Sequence, residues 1–146
     1  ASDVYKRQIL KVEFQIKSII VKNIKWIMLF SGVVTCTTFS AVVNPQDALL
    51  TMFGSNLEEP LANLITRSWG FLIFLMGALL IFGAFNPVFR MFCIITVVIS
   101  KIGFLFLSLI YGLNYIGTLW ITLLFDTLVV LTLCFYIISQ KYYDEG

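Results

Sequence analysis

Histidine is absent from the 146 residues of the chain. That removes histidine-ligated haem, the commonest zinc and copper sites, and the side chain most often used as a general base near neutral pH. Cysteine is sparse: Cys36, Cys93 and Cys134 stand alone, with no CxxC pair. A thiol–disulfide exchange of the quinone-reductase kind therefore lacks its dithiol. A thiolate-only metal site would need three separate helices to converge, so neither a metal nor another cofactor is expected. Charge is also scarce. Asp, Glu, Lys and Arg make up 12% of the residues, against roughly a quarter in soluble domains. No Walker loop, nucleophile elbow or zincin motif occurs, and no basic surface suits nucleic acid. An enzymatic role has no visible constellation to carry it.

Apolar sequence is what the chain has in quantity. Its hydrophobic share is 60% and its mean hydropathy +0.95, and the apolar residues come in blocks, not stripes. Residues 26–43, 68–85, 91–111 and 118–138 are such blocks, each near the ~20 residues that cross a ~30 Å hydrocarbon layer. Helices are the expected form, because in lipid each backbone N–H and C=O must find a partner within its own segment. A soluble helical core would carry polar faces at helical spacing, and these blocks carry almost none. The expected fold is all-α: an integral membrane four-helix bundle over 26–138, preceded by a juxtamembrane segment over 9–25 and followed by a tail over 139–146.

The charge distribution predicts the orientation. Lys11, Lys17, Lys22 and Lys25 precede the first block, Arg90 lies between the second and third, and Lys141 follows the fourth. Positive residues stay on the cytoplasmic side, which places both termini and the 86–90 turn inside. Segments 44–66 and 112–117 are then outside. Trp69, Tyr111, Tyr115 and Trp120 fall at the outer interface, and Trp26, Tyr142 and Tyr143 at the inner one. Lys11, Gln15, Ser18, Lys22 and Lys25 form one polar stripe on a helix, with Leu10, Phe14, Ile16, Ile20 and Ile24 on other faces. Such an amphipathic helix is expected to lie on the anionic inner surface before the chain turns inward.

Local signals fill in the connections. In "NPQDALLTMFG" Asn44 can cap a helix, Pro45 suits its first position, Asp47 favours its dipole and Gly54 can end it. This predicts a short apolar helix in the first external loop, packed on the mouth of the bundle. "SNLEEP" predicts a second helix start, capped at Ser55 or Asn56 with Glu58 and Glu59 in its first turn. Gly70, Gly77 and Ala84 recur every seven residues, a small-residue face that lets a neighbouring helix approach. The octet "ASDVYKRQ" is of a different kind. Ala1–Gln8 can be written GCG TCA GAT GTG TAT AAG AGA CAG, the in-frame translation of a transposase-type sequencing adapter. The native chain is expected to begin near Ile9, and adapter residues are set aside in fold reasoning.

Two charges stand in the middle of apolar blocks: Lys101 and Asp126. Counted from the 112–117 turn they lie about ten and nine residues down adjacent antiparallel helices, or ~14–15 Å at 1.5 Å per residue. A lone charge near the midplane is costly and a pair much less so, so the two are expected to meet. Thr118 and Thr122 lie at four-residue steps above Asp126, Ser108 lies seven beyond Lys101, and Arg67 and Tyr115 lie nearer the outer mouth. Two readings follow. One is an ion pair that fixes helix register, with threonines bonded back to their own helices. The other is a narrow polar cavity opening outward that holds a small anionic or quinone-like headgroup or passes protons.

The layout of Pro45 to Gly54, then Arg67-Ser-Trp-Gly70 leading into a glycine-rich second span, resembles the DoxX-like and DUF4345-like families of small four-span bacterial membrane proteins. Arg67 and Gly70 match the arginine and glycine that open the second span there. The resemblance implies a multi-pass protein of the bacterial inner membrane, sometimes associated with redox or stress systems. With no catalytic constellation, the expected role is a non-enzymatic accessory or interaction protein. Its partners are the lipid bilayer and either another membrane protein or a second copy. The alternative is a small dimeric transporter or proton-coupled carrier that uses the Lys101/Asp126 track.

Overall fold

All three prolines of the sequence sit at the start of a helix, where a missing N–H and a fixed φ cost nothing. The structure, a computed structural model, describes residues 2–144, with side chains through Lys141. The chain runs through α1 (Ser2–Cys36), a 3₁₀ turn (Thr37–Phe39), α2 (Ser40–Val43), α3 (Pro45–Phe53), α4 (Pro60–Phe85), α5 (Pro87–Tyr111), a second 3₁₀ turn (Leu113–Tyr115) and α6 (Ile116–Asp144). No strand occurs among the described residues. Four segments are long and apolar enough to cross a membrane: Ser2–Val43, Pro60–Phe85, Pro87–Tyr111 and Leu113–Lys141. They overlap the four apolar blocks. The inner-interface placing of Tyr142 and Tyr143 falls outside the described side chains.

Two local expectations change. No break separates residues 9–25 from the first block, because α1 is one helix of 35 residues. The sequence changes composition there, but from Ser2 to Ser31 it contains neither Pro nor Gly to end a helix. The helix α4 starts at Pro60, not at Ser55 or Asn56, and Glu59 is its N-cap with an extended ψ of 138° and no side-chain capping bond. Proline disfavours helical geometry in the residue before it, so Glu58 and Glu59 stay outside the first turn.

The bundle is cyclic: α1 packs on α4 and α6, and α5 on α4 and α6. The α1–α4 seam is held together by what glycine omits. A Cβ on Gly77 would lie 2.7 Å from the Gly32 carbonyl oxygen and 2.8 Å from the Cys36 nitrogen, and at the adjoining α2–α4 contact one on Gly70 would lie 2.6 Å from Ala41 Cβ. The helices approach this closely because α4 presents glycine at each point, the packing mode that replaces hydrophobic drive in lipid. Ala84 is buried in the core. Gly83 serves the next seam, where a Cβ would meet Cys93 Cβ at 2.8 Å.

The two halves of the bundle differ. Toward the 86–87 turn the core is continuous and apolar, built from Ile24, Met28, Leu80, Ile94, Val97, Val129 and Leu133 among others. That end also carries cations: Arg90 donates to the carbonyls of Gly83 (3.2 Å) and Ala84 (3.1 Å), and Lys25 lies 4.7 Å from the ring centre of Phe85. Arg90 thereby satisfies carbonyls that the end of α4 leaves open. At the opposite end α3 lies against α2, α4 and α6. Asn44 caps α3 by accepting from the Asp47 N–H, and Gly54 ends it at φ 66°. Phe53 pins it between Trp69 (centroids 6.0 Å apart) and Tyr115 (5.8 Å, edge-on).

Candidate functional site

Lys101 and Asp126 are brought together by the α5–α6 hairpin. Their helices run antiparallel from a turn at Gly112–Tyr115, so similar distances from the turn put the side chains at one depth. Lys101 Nζ donates to Asp126 Oδ1 in an ion pair, and both residues are only 7% exposed. The ammonium also stands 5.7 Å from the ring centre of Phe125, within reach of a cation–π attraction. Among the described residues Asp126 accepts no other hydrogen bond.

The pair lies at the bottom of a cavity of about 630 Å³. From α5 it is lined by Ser100, Lys101 and Phe104, and from α6 by Ile121, Thr122, Phe125 and Asp126. The facing wall is Val34, Thr35, Thr37, Thr38, Ser40 and Ala41, with Trp69, Ile73 and Met76 from α4. Asn44, Asp47, Ala48, Thr51 and Met52 line it at the α3 end. Asn44, Asp47 and Thr51 are exposed while Lys101 and Asp126 are buried, so the chamber deepens from α3 toward the ion pair. Thr37, Ser40, Ser100 and Ile121 are exposed as well, so part of its side wall reaches the outside of the bundle. Beyond the pair the apolar core begins at Val97, Val98, Val129 and Val130, and the chamber ends there. Its volume falls within the ~300–1,000 Å³ typical of small-molecule sites.

Of the residues expected along the polar track, Lys101, Asp126 and Thr122 share this chamber. The others do not line it. Ser108 is buried near the end of α5, where its carbonyl accepts from the Gly112 N–H. Thr118 packs on Gly54 and donates to the Tyr115 carbonyl at 3.0 Å. Tyr115 meets Phe53 edge-on. Arg67 donates to the carbonyls of Val42 and Val43, holding the last turn of α2. The track departs from its expected course because the chamber leaves the pair toward α1–α3 and does not follow the α5–α6 seam.

That facing wall is what reading α5 and α6 alone could not supply. Its polar residues are mostly hydroxyls. Thr37 donates to the Val34 carbonyl at 2.7 Å, and Thr38 to the Thr35 carbonyl at 2.7 Å. Thr35 is 5% exposed, and its hydroxyl oxygen has no hydrogen-bond partner. A buried hydroxyl without a partner costs roughly 1–3 kcal/mol, so its place on a cavity wall has chemical meaning. Among the described residues no cluster of three His, Cys, Asp or Glu could hold a metal ion. No known protein family, curated protein or solved structure matches the chain.

Proposed function

We propose that this multi-pass membrane protein binds a small solute in the chamber above Lys101 and Asp126, as a carrier does. One observation carries the reading: a buried ion pair at the closed end of a cavity whose wall contains a buried, unpartnered hydroxyl at Thr35. A pair that served helix register alone would be expected in packed surroundings, like the apolar half beneath it. By the positive-inside rule the α3 end faces outward and the cation-bearing end inward, so solute enters from outside the cell. Bacterial inner-membrane residence and kinship with DoxX-like proteins belong to this same proposal. The packed inner half is the gate that transport has to open. Lys101 and Asp126, which face the chamber, are the residues through which proton coupling would run.

The accessory or interaction role is the second reading. It is favoured by the extent of large apolar side chains on the outside of the bundle, such as Phe92, Phe106 and Ile121, which serve lipid and protein neighbours equally. Proteoliposomes with a trapped pH-sensitive dye separate the two when challenged with a panel of small solutes. Carrier function predicts a solute-dependent pH change that Asp126→Asn abolishes. No response to any solute, with a membrane protein recovered on mild-detergent copurification, would return the assignment to the accessory role.

A further inference from the structure

The wall chemistry narrows the ligand class, and this step rests on the chamber being a binding site. Hydrogen-bond capacity around the cavity is mixed. Lys101 gives one of its three N–H donors to Asp126, and the Asn44 side-chain amide gives one of its two to Asp47. The hydroxyl protons of Thr37 and Thr38 are spent on backbone carbonyls, which leaves oxygen lone pairs as their remaining capacity. Thr35 adds an unpartnered hydroxyl, able to accept or donate, nine-tenths or more buried. Ser40, Thr51, Ser100 and Thr122 also line the chamber with hydroxyls, so charge, and not hydrogen-bond capacity, selects the ligand class.

The lining contains two carboxylates, Asp47 and Asp126, and a single cation, Lys101. Lys101 and Asp126 balance each other, so the lining carries one net negative charge, at Asp47. An anion entering from the α3 end would pass that carboxylate and gain no unpaired ammonium. A cation is attracted at the mouth and meets a neutral pair at the bottom. Trp69, Phe104 and Phe125 line the path, and aromatic faces attract cations and shield their apolar bodies from water. We infer that the chamber takes a small organic ammonium, a monovalent cation with N–H donors on an apolar or aromatic body, in place of an anionic or quinone headgroup. Its ammonium shares Asp126 with Lys101, and Thr35 accepts from it.

Three probes of one shape and different charge test this: benzylammonium, benzyl alcohol and benzoate. Each is titrated onto the full chain in nanodiscs of zwitterionic lipid, with empty nanodiscs subtracted. Benzylammonium, charged at pH 7 as a lysine is, is expected to bind about tenfold or more tightly than the other two, the scale of a charge-assisted hydrogen bond over a neutral one. Thr35→Val and Asp47→Asn leave the ion pair intact and should each weaken benzylammonium severalfold, and Asp47→Asn should do so while leaving benzyl alcohol unchanged. Equal binding of all three, or preference for benzoate, overturns the cation assignment and leaves a solute chamber standing. Undiminished benzylammonium binding in both variants overturns the site. No binding of any probe also overturns the inference, and the dye-loaded proteoliposomes then show independently whether some other solute is carried.

Discussion

Removing Lys101 alone should harm the protein more than removing Lys101 and Asp126 together. In Lys101→Met the carboxylate of Asp126 remains 7% exposed with no cation beside it, and in Asp126→Leu the ammonium is stranded in the same way. Breaking a buried pair from one side typically costs about 3–5 kcal/mol, while replacing both members with apolar residues of similar volume is often neutral. Both residues line the chamber and are not enclosed in packed core, which places the single losses toward the lower end of that range. The double variant should then fall within about 1–2 kcal/mol of the parent, giving a favourable coupling of a few kcal/mol between the two substitutions. Reversible unfolding in mixed micelles, followed by circular dichroism across the four proteins, reads the cycle. Additive losses with no rescue would refute the reasoning, because they would mean that the two side chains do not share one charge balance. Function separates two roles within the rescued protein: a pair that only fixes register leaves ligand binding intact, and a binding pair leaves a stable protein that has lost it.

Gly77→Val should destabilise by about 1–3 kcal/mol or separate α1 from α4, since its Cβ has backbone atoms at 2.7 and 2.8 Å. Gly103→Ala should be neutral or stabilising by up to about 1 kcal/mol, because nothing lies within 4 Å of its Cβ; equal effects in the same unfolding assay would contradict the seam assignment. Arg67→Met should free the carbonyls of Val42 and Val43 and speed amide exchange in α2, read by hydrogen–deuterium exchange, without altering exchange in the 129–133 core.

The four apolar helices were legible because lipid permits few alternatives to a continuous helix of that length. The 86–90 turn falls where Pro87, which suits only the start of a helix, follows Asn86 and opens α5. The Lys101–Asp126 contact was legible too: a short turn makes depth in one helix translate into depth in the next. The facing wall of the chamber was not. Thr35, Thr37, Thr38 and Thr51 line the same chamber as the pair only because α1 and α3 pack against α6, and no spacing along one helix encodes that neighbour. Gly32 and Gly83 escaped notice because they fall outside the seven-residue series of Gly70, Gly77 and Ala84. Ser108 and Thr118 were assigned to the track by spacing, but the chamber bends away from their level. At α4, the acidic pair Glu58–Glu59 suggested a first turn that Pro60 forbids.

The chamber is open at the α3 end and sealed below Lys101 and Asp126, and cysteine accessibility reads both features. In a background with Cys36, Cys93 and Cys134 replaced by alanine, single cysteines at Thr51, Thr122 and Leu133 are exposed to a hydrophilic, membrane-impermeant maleimide in intact cells. Rapid labelling is expected at Thr51→Cys, slower but clear labelling at Thr122→Cys, and none at Leu133→Cys, which lies in the packed half. Protection of Thr122→Cys to the level of Leu133→Cys would contradict the opening, because the ion pair would then lie in a closed core with no access from the α3 side.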